Sequence, residues 1–198
     1  MNDHSVNIAI FASGSGSNAE RIMEVFKNRK DISVKALFSN NPSAFALERA
    51  QKFSVPTFVF TREEFFNSPK VLEILESKKI DWLILAGFLW LIPDNLLKAF
   101  SNKIINIHPA LLPAYGGKGM YGMRIHNAII DAQEKESGIS IHFVNEKYDE
   151  GEIIFQAKCT IELHDTAETL AKKIHTLEHR HFPVIIENLI KADNFNNP

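Results

Sequence analysis

The chain has 198 residues, 45% of them hydrophobic and 23% charged, with a formal net charge of −2 at pH 7. That length suits one well-buried domain, and the mixed charge argues against a dedicated nucleic-acid or membrane-surface binder. The single cysteine, Cys159, excludes an internal disulfide. The polar start at Met1–Ser5 and the lack of any apolar run near about 18 residues argue against a signal peptide or membrane span, so a cytoplasmic location is expected.

Asn7 to Ala12 is a short apolar run that reads as a strand, and Ser13 to Ser17 is a Gly/Ser turn. Ala19, Ile22, Met23 and Phe26 then recur with helical spacing. Val34 to Phe38 is a second strand; Asn41-Pro42-Ser43 opens a second helix that must end before Pro56. Thr57 to Phe60 is a third strand, and Val71 to Lys78 lies in a third helix. Trp82 to Ala86 and Lys103 to Ile107 are further strands, with a short helix from Asp94 to about Phe100 between them. Strands this apolar on both faces belong in a parallel sheet covered by helices.

The second half changes character. Ile139 to Val144 and Glu152 to Thr160 read as an antiparallel strand pair around a polar turn at Asn145 to Gly151. The neighbours of Cys159 suggest a buried strand and a packed thiol. A long final helix carries Ala167, Leu170, Ile174 and Leu177 on one face, and Pro183 should bend it or end its first part. The expected fold is α/β: a doubly wound, mostly parallel Rossmann-like sheet with helices on both faces and an antiparallel pair at its C-terminal edge. Residues 1–198 are expected to form a single domain, with a phosphate-binding half over 1–100 and a catalytic half over 101–198.

Two segments carry chemistry. Ser13-Gly14-Ser15-Gly16-Ser17-Asn18 lies between a strand and a helix, where free N–H groups and the helix dipole favour an anion, usually phosphate. It also matches the dinucleotide pattern G-x-G-x-x-A, but Ser39 and Asn40 stand where that pattern needs an acid for the ribose, so a single phosphate is the simpler ligand. Farther on, Asn106 and His108 are two apart at a strand end and point to the same side, beyond the carboxyl edge where open α/β sheets bind ligands. Spacing alone leaves open whether that pair is a reaction centre or merely satisfies the backbone. His179-Arg180-His181 is no metal site, because residues two apart on a helix face different ways, and no metal is expected.

Asn106-Ile107-His108-Pro109, followed by Leu111-Leu112-Pro113, resembles the signature of the folate-dependent formyltransferases. That family includes enzymes acting on glycinamide ribonucleotide, methionyl-tRNA and sugars, and the formyl-tetrahydrofolate hydrolases. The resemblance runs from Asn7 to about Ile190. It takes in the Gly/Ser turn, Phe38-Ser39-Asn40, Ala86-Gly87-Phe88, Gly138 to Val144, Asp149-Glu150-Gly151 and Glu178-His179.

The resemblance implies Asn106, His108 and Asp149 as catalytic residues, and Gly16, Ser17 and Asn18 as a phosphate site. It implies Glu178 near the glycinamide end of a ribonucleotide. Leu89, Trp90, Leu91 and Ile92 correspond to the pterin-holding segment, with Asn106 also facing the folate. Trp90 stands where an arginine is common, and its indole could be core or pocket wall. The family's usual arginine near the third helix has no clear match, Lys70 being the nearest cation. The implied cosubstrate is 10-formyl-tetrahydrofolate and the implied acceptor is the amine of glycinamide ribonucleotide; the hydrolase activity, or another phosphorylated amine as acceptor, is the alternative. A tRNA substrate is not expected, since it would normally go with a C-terminal tRNA-binding domain and a basic surface, nor is the hydrolase, which would normally go with an N-terminal regulatory domain ahead of the first strand at about Asn7. A monomer or homodimer fits equally. An Asp149 carboxylate beside His108 is expected to favour the imidazolium. The loop at Gly116 to Gly122, longer than in many relatives, is expected to lie over the site.

Overall fold

The computed structural model describes residues 5–196. Seven strands form one sheet in the order β3-β2-β1-β4-β5-β6-β7. The strands β1 (Val6–Phe11), β2 (Ile32–Ser39), β3 (Thr57–Val59), β4 (Trp82–Leu85) and β5 (Ile104–His108) are parallel; β6 (Glu136–Phe143) and β7 (Ile153–Thr160) are antiparallel additions. The doubly wound sheet with its antiparallel C-terminal edge is the expected architecture.

Alternation along the strands divides the core into two layers. Ile8, Ile10, Ile84, Ile105, Ile107 and Ile141 face one layer, which is closed by the helices α1 (Ser17–Phe26), α2 (Phe45–Lys52), α6 (Met123–Asp131) and α7 (Ala167–Asn196). Ala9, Phe11, Phe38, Leu83 and Leu85 face the other, closed by α3 (Arg62–Phe66), α4 (Lys70–Ser77) and α5 (Asp94–Ala99). The second layer is rich in aromatic rings: Phe11 stacks on Phe38 at 4.9 Å, and Phe60, Phe65 and Phe88 close around them.

The structure departs from the sequence reading in several places. The helices α3 and α6 were not anticipated. The first has only five residues, begun by a capping box between Thr61 and Glu64; the second follows a glycine-rich stretch that hides its start. Pro183 does not end the last helix, which runs on to Asn196. Proline removes the N–H that would reach the carbonyl four residues back. That carbonyl, on His179, instead accepts from Arg21 Nε of α1 at 3.4 Å. Finally, β7 is an edge strand, half exposed along its length, so Cys159 is only partly buried rather than sealed in a core strand.

Candidate active site

Strand register brings the first polar cluster together. In the antiparallel β5–β6 pair, Asn106 lies opposite His142 and His108 opposite Ser140. All four project to one face, because Ile105, Ile107, Ile139 and Ile141 take the other. Asn106 Nδ2 stands 3.1 Å from His142 Nε2, and His142 Nδ1–H donates to the Phe143 carbonyl at 2.8 Å. Ser140 is saturated: its hydroxyl donates to Ala110 O at 2.7 Å and accepts from Leu112 N–H and Gln156 Nε2–H. It thereby pins the proline-rich segment leaving β5.

Asp149 reaches this cluster from the β6–β7 turn, at φ +57, a left-handed conformation that aspartate tolerates better than most residues. Its Oδ1 accepts from Asn106 Nδ2 at 3.4 Å and lies 3.6 Å from His142 Nε2; its Oδ2 lies 3.5 Å from His108 Nδ1 and accepts from Gly117 N–H at 3.0 Å. The three sequence-predicted residues thus converge, with His142 as a fourth member that sequence reasoning passed over. Its spacing from Ser140, opposite the Asn106/His108 pair, was the available signal.

Burial pushes the Asp149 carboxyl up, but the facing His142, the nearby His108 and the Gly117 N–H outweigh it and hold the group below the usual carboxylate range. His108 goes the other way from expectation. Its Nε2 donates to the Tyr115 carbonyl at 2.8 Å, and both that carbonyl and Asp149 favour the cation. Burial is the larger effect, with His108 only 3% exposed, and it takes the imidazole below its ordinary value. The neutral ring, Nε2–H toward Tyr115, is therefore the form at neutral pH.

The Gly/Ser turn is built as expected. Gly16 has φ +71, and a side-chain Cβ there would stand 2.5 Å from Ala46 Cβ, so only glycine fits between α1 and α2. The first helical hydrogen bond runs from Glu20 N–H to Gly16 O at 2.8 Å. The N–H groups of Ser17, Asn18 and Ala19 therefore precede the helical ladder. Ser13 Oγ donates to Asn40 Oδ1 at 2.7 Å, so the residue that replaces the dinucleotide acid braces the turn.

Across from the turn, Glu178 of α7 is 5% exposed. Burial pushes its carboxyl up to about 7, opposed by a hydrogen bond from Asn18.

A cavity of about 580 Å³ joins these parts. Gly16, Ser17, Asn18, Asn106, His108, Asp149 and Glu178 all line it. So does the loop from Gly117 to Gly122, where Gly117, Gly119 and Gly122 have positive φ. Of the segment assigned to the pterin, Leu89 lines the cavity with Phe88. Trp90, Leu91 and Ile92 do not; Ile92 is core, and Trp90, partly buried, packs edge-on against Phe60 and Phe88 at the margin of the second layer. Lys70 is also away from the cavity and pairs with Glu64. The cation beside the Phe88–Ile92 segment is Arg62 of α3, whose guanidinium lies 4.8 Å over Phe66 and 5.7 Å over Trp90. Sequence reading missed it because α3 itself was missed. Among the described residues, no group of three or more His, Cys, Asp or Glu is arranged to hold a metal ion, and no helix is long and apolar enough to cross a membrane.

This fold and strand-end constellation define a class. Residues 6–186 match the family described as Formyl transferase, and the chain belongs to it. Among curated relatives, the phosphoribosylglycinamide formyltransferase of Bacillus subtilis is 39% identical over 191 residues, covering 94% of this chain and 95% of its own. Among solved structures, glycinamide ribonucleotide transformylase 1 from Symbiobacterium toebii superposes with a TM-score of 0.86 at 31% identity, covering 96% of this chain and 89% of that one. The phosphoribosylglycinamide formyltransferase from Bacillus halodurans superposes with a TM-score of 0.83 at 37% identity, covering 93% and 95%.

Proposed function

We infer that this chain transfers the formyl group of 10-formyl-tetrahydrofolate to the amine of glycinamide ribonucleotide, giving formylglycinamide ribonucleotide and tetrahydrofolate in purine biosynthesis. The observation that carries this reading is one cavity holding both a glycine-turned helix N-terminus and the Asn106, His108, Asp149 cluster. The first suits a phosphate monoester and the second an acyl-type transfer. Gly16, Ser17 and Asn18 are assigned to the phosphate and Glu178 to the sugar–glycinamide portion. Leu89 and the neighbouring backbone to Ile92 are assigned to the pterin, and Arg62, in place of Lys70, to the folate's carboxylates.

The neutral amine attacks the formyl carbon, forming a C–N bond and a tetrahedral carbon with a developing oxyanion. Collapse breaks the bond to the folate nitrogen, which gains a proton as the attacking nitrogen loses one. The two Asn106 amide N–H groups are directed at Asp149 and at His142 Nε2, and the oxyanion takes one of them by displacing that partner. One such preorganised donor contributes about 3–4 kcal/mol. Asp149, held ionised, accepts the proton directly or through a water and relays it. His108, whose Nδ1 lies 3.5 Å from Asp149 Oδ2, is placed to take up a proton beside that carboxylate as charge develops in the reaction. Holding both substrates in one cleft supplies the orientation.

The test is release of tetrahydrofolate with and without glycinamide ribonucleotide. Release only with the acceptor supports the reading; release without it indicates the hydrolase, and no release in either case sinks both.

A further inference from the structure

We propose that Lys118 and Arg124, on the glycine-rich loop and the start of α6, are specificity-determining residues that close over the acceptor's phosphate from the side opposite the Gly16 turn. This rests on the ribonucleotide reading above. A phosphate monoester carries about −1.5 to −2 charges at neutral pH, whereas a helix N-terminus offers the equivalent of about +0.5. The turn alone leaves most of that charge unmatched. The arginines flanking it are already committed: Arg49 pairs with Glu20 and donates to the Ser15 carbonyl, and Arg21 pairs with Glu24.

Among the described residues that line the cavity, Lys118 and Arg124 are the two with a permanent positive charge, and no carboxylate pairs with either. Arg124 rests on the Tyr121 ring, 5.0 Å from its centroid. A dianion would compete well with that exposed contact. Beside Arg124, His126 is 5% exposed and lines the same wall, with Nδ1 sealed and without a partner, a polar group already buried at a cost.

The packing decides which anion these cations meet. Met120 packs on the layer that holds Ala19 of α1 and Ile174 of α7, and Ile125 lies within that layer. The loop is thus fastened to the side of the sheet that carries the Gly16 turn and Glu178. Phe88, beside the pterin segment, and Trp90, within it, belong to the other layer. Glycines on both sides of Lys118, at φ +95 and +90, let that residue swing inward.

The experiment replaces Lys118→Gln and Arg124→Gln, singly and together, and varies each substrate in turn. The double variant is expected to raise KM for the ribonucleotide about tenfold or more while KM for the folate cosubstrate and kcat stay within about threefold. Inorganic phosphate should inhibit the parent protein competitively with the ribonucleotide, and the double variant more weakly. The conservative pair Lys118→Arg and Arg124→Lys should restore most of the loss. A rise in the folate KM instead, a loss confined to kcat, or no change in either KM overturns the proposal. Titrating the free protein with inorganic phosphate by ³¹P NMR separates this inference from the functional reading. Binding lost in the double variant supports the cation pair even if the ribonucleotide proves not to be the acceptor, and equal binding in both proteins overturns it.

Discussion

Asp149 and Glu178 face the same cavity, both largely buried, yet their surroundings drive their carboxyl groups in opposite directions. Glu178 sits on the inner face of α7, where burial outweighs its hydrogen bond with Asn18 and His175 Nε2 stands 3.8 Å away, so its proton stays on to about pH 7. Asp149 sits on a turn, where the backbone N–H of Gly117 and two histidine rings reach it. Burial alone does not decide ionisation; the side chains and N–H groups that surround the carboxyl do. Two carboxyl groups with values pushed apart are also what a site needs if one is to move protons and the other to hold a polar substrate neutrally.

The largest test of the contrast is catalytic. Asp149→Asn and His108→Ala should each lower kcat at least about a hundredfold, close to 3 kcal/mol of barrier, with an unchanged circular-dichroism spectrum. Near-normal turnover in either variant would refute the role given to that residue.

Glu178→Gln addresses the other carboxyl through stability. The folded state of the parent holds the Glu178 proton more tightly than the unfolded chain. The stability this confers is full below about pH 4.5 and is lost as pH rises through about 7. The amide has no charge to bury, so the variant should gain on the parent by about 2 kcal/mol between pH 5 and pH 8 in urea unfolding. Histidines whose values burial lowers, among them His108, His126 and the partly buried His179, work in the opposite sense, losing stability as pH falls below about 6.5. They are common to both proteins and cancel in the comparison. An unchanged difference between the two pH values would show that Glu178 is ionised throughout.

His142→Phe sharpens the contrast by making Asp149 more like Glu178. Loss of the facing ring should raise the Asp149 carboxyl, move the acid limb of kcat/KM to higher pH and cost about tenfold in rate near neutrality. An acid limb that stays in place would remove His142 from the cluster's electrostatics. The smallest effect concerns how α7 is held. Arg21→Ala leaves the His179 carbonyl without its donor and should lower stability by about 1 kcal/mol, visible as a small drop in Tm.

The strand and helix order, the phosphate-suited turn and the Asn106/His108 pair were legible because each is written in local pattern. Apolar runs mark the strands, and glycines between a strand and a helix mark the turn. A spacing of two puts two side chains on one face. Asp149 was placed in the site only through family resemblance, since nothing local to Asn145–Gly151 says which strand end it will face. The helix α3 escaped notice for a local reason, being too short for periodicity to register, and Arg62 was lost with it.

By itself the sequence determined the α/β frame, the position of the turn and the shared face of Asn106 and His108, because these depend on near-neighbour geometry. Tertiary structure alone decided the protonation preferences of His108 and Glu178, the entry of His142, the packing of Trp90 and the side of the sheet to which the glycine-rich loop is fastened. Each of those follows from what distant segments place around a group, and solvation and hydrogen bonding across that distance have no signature in linear order.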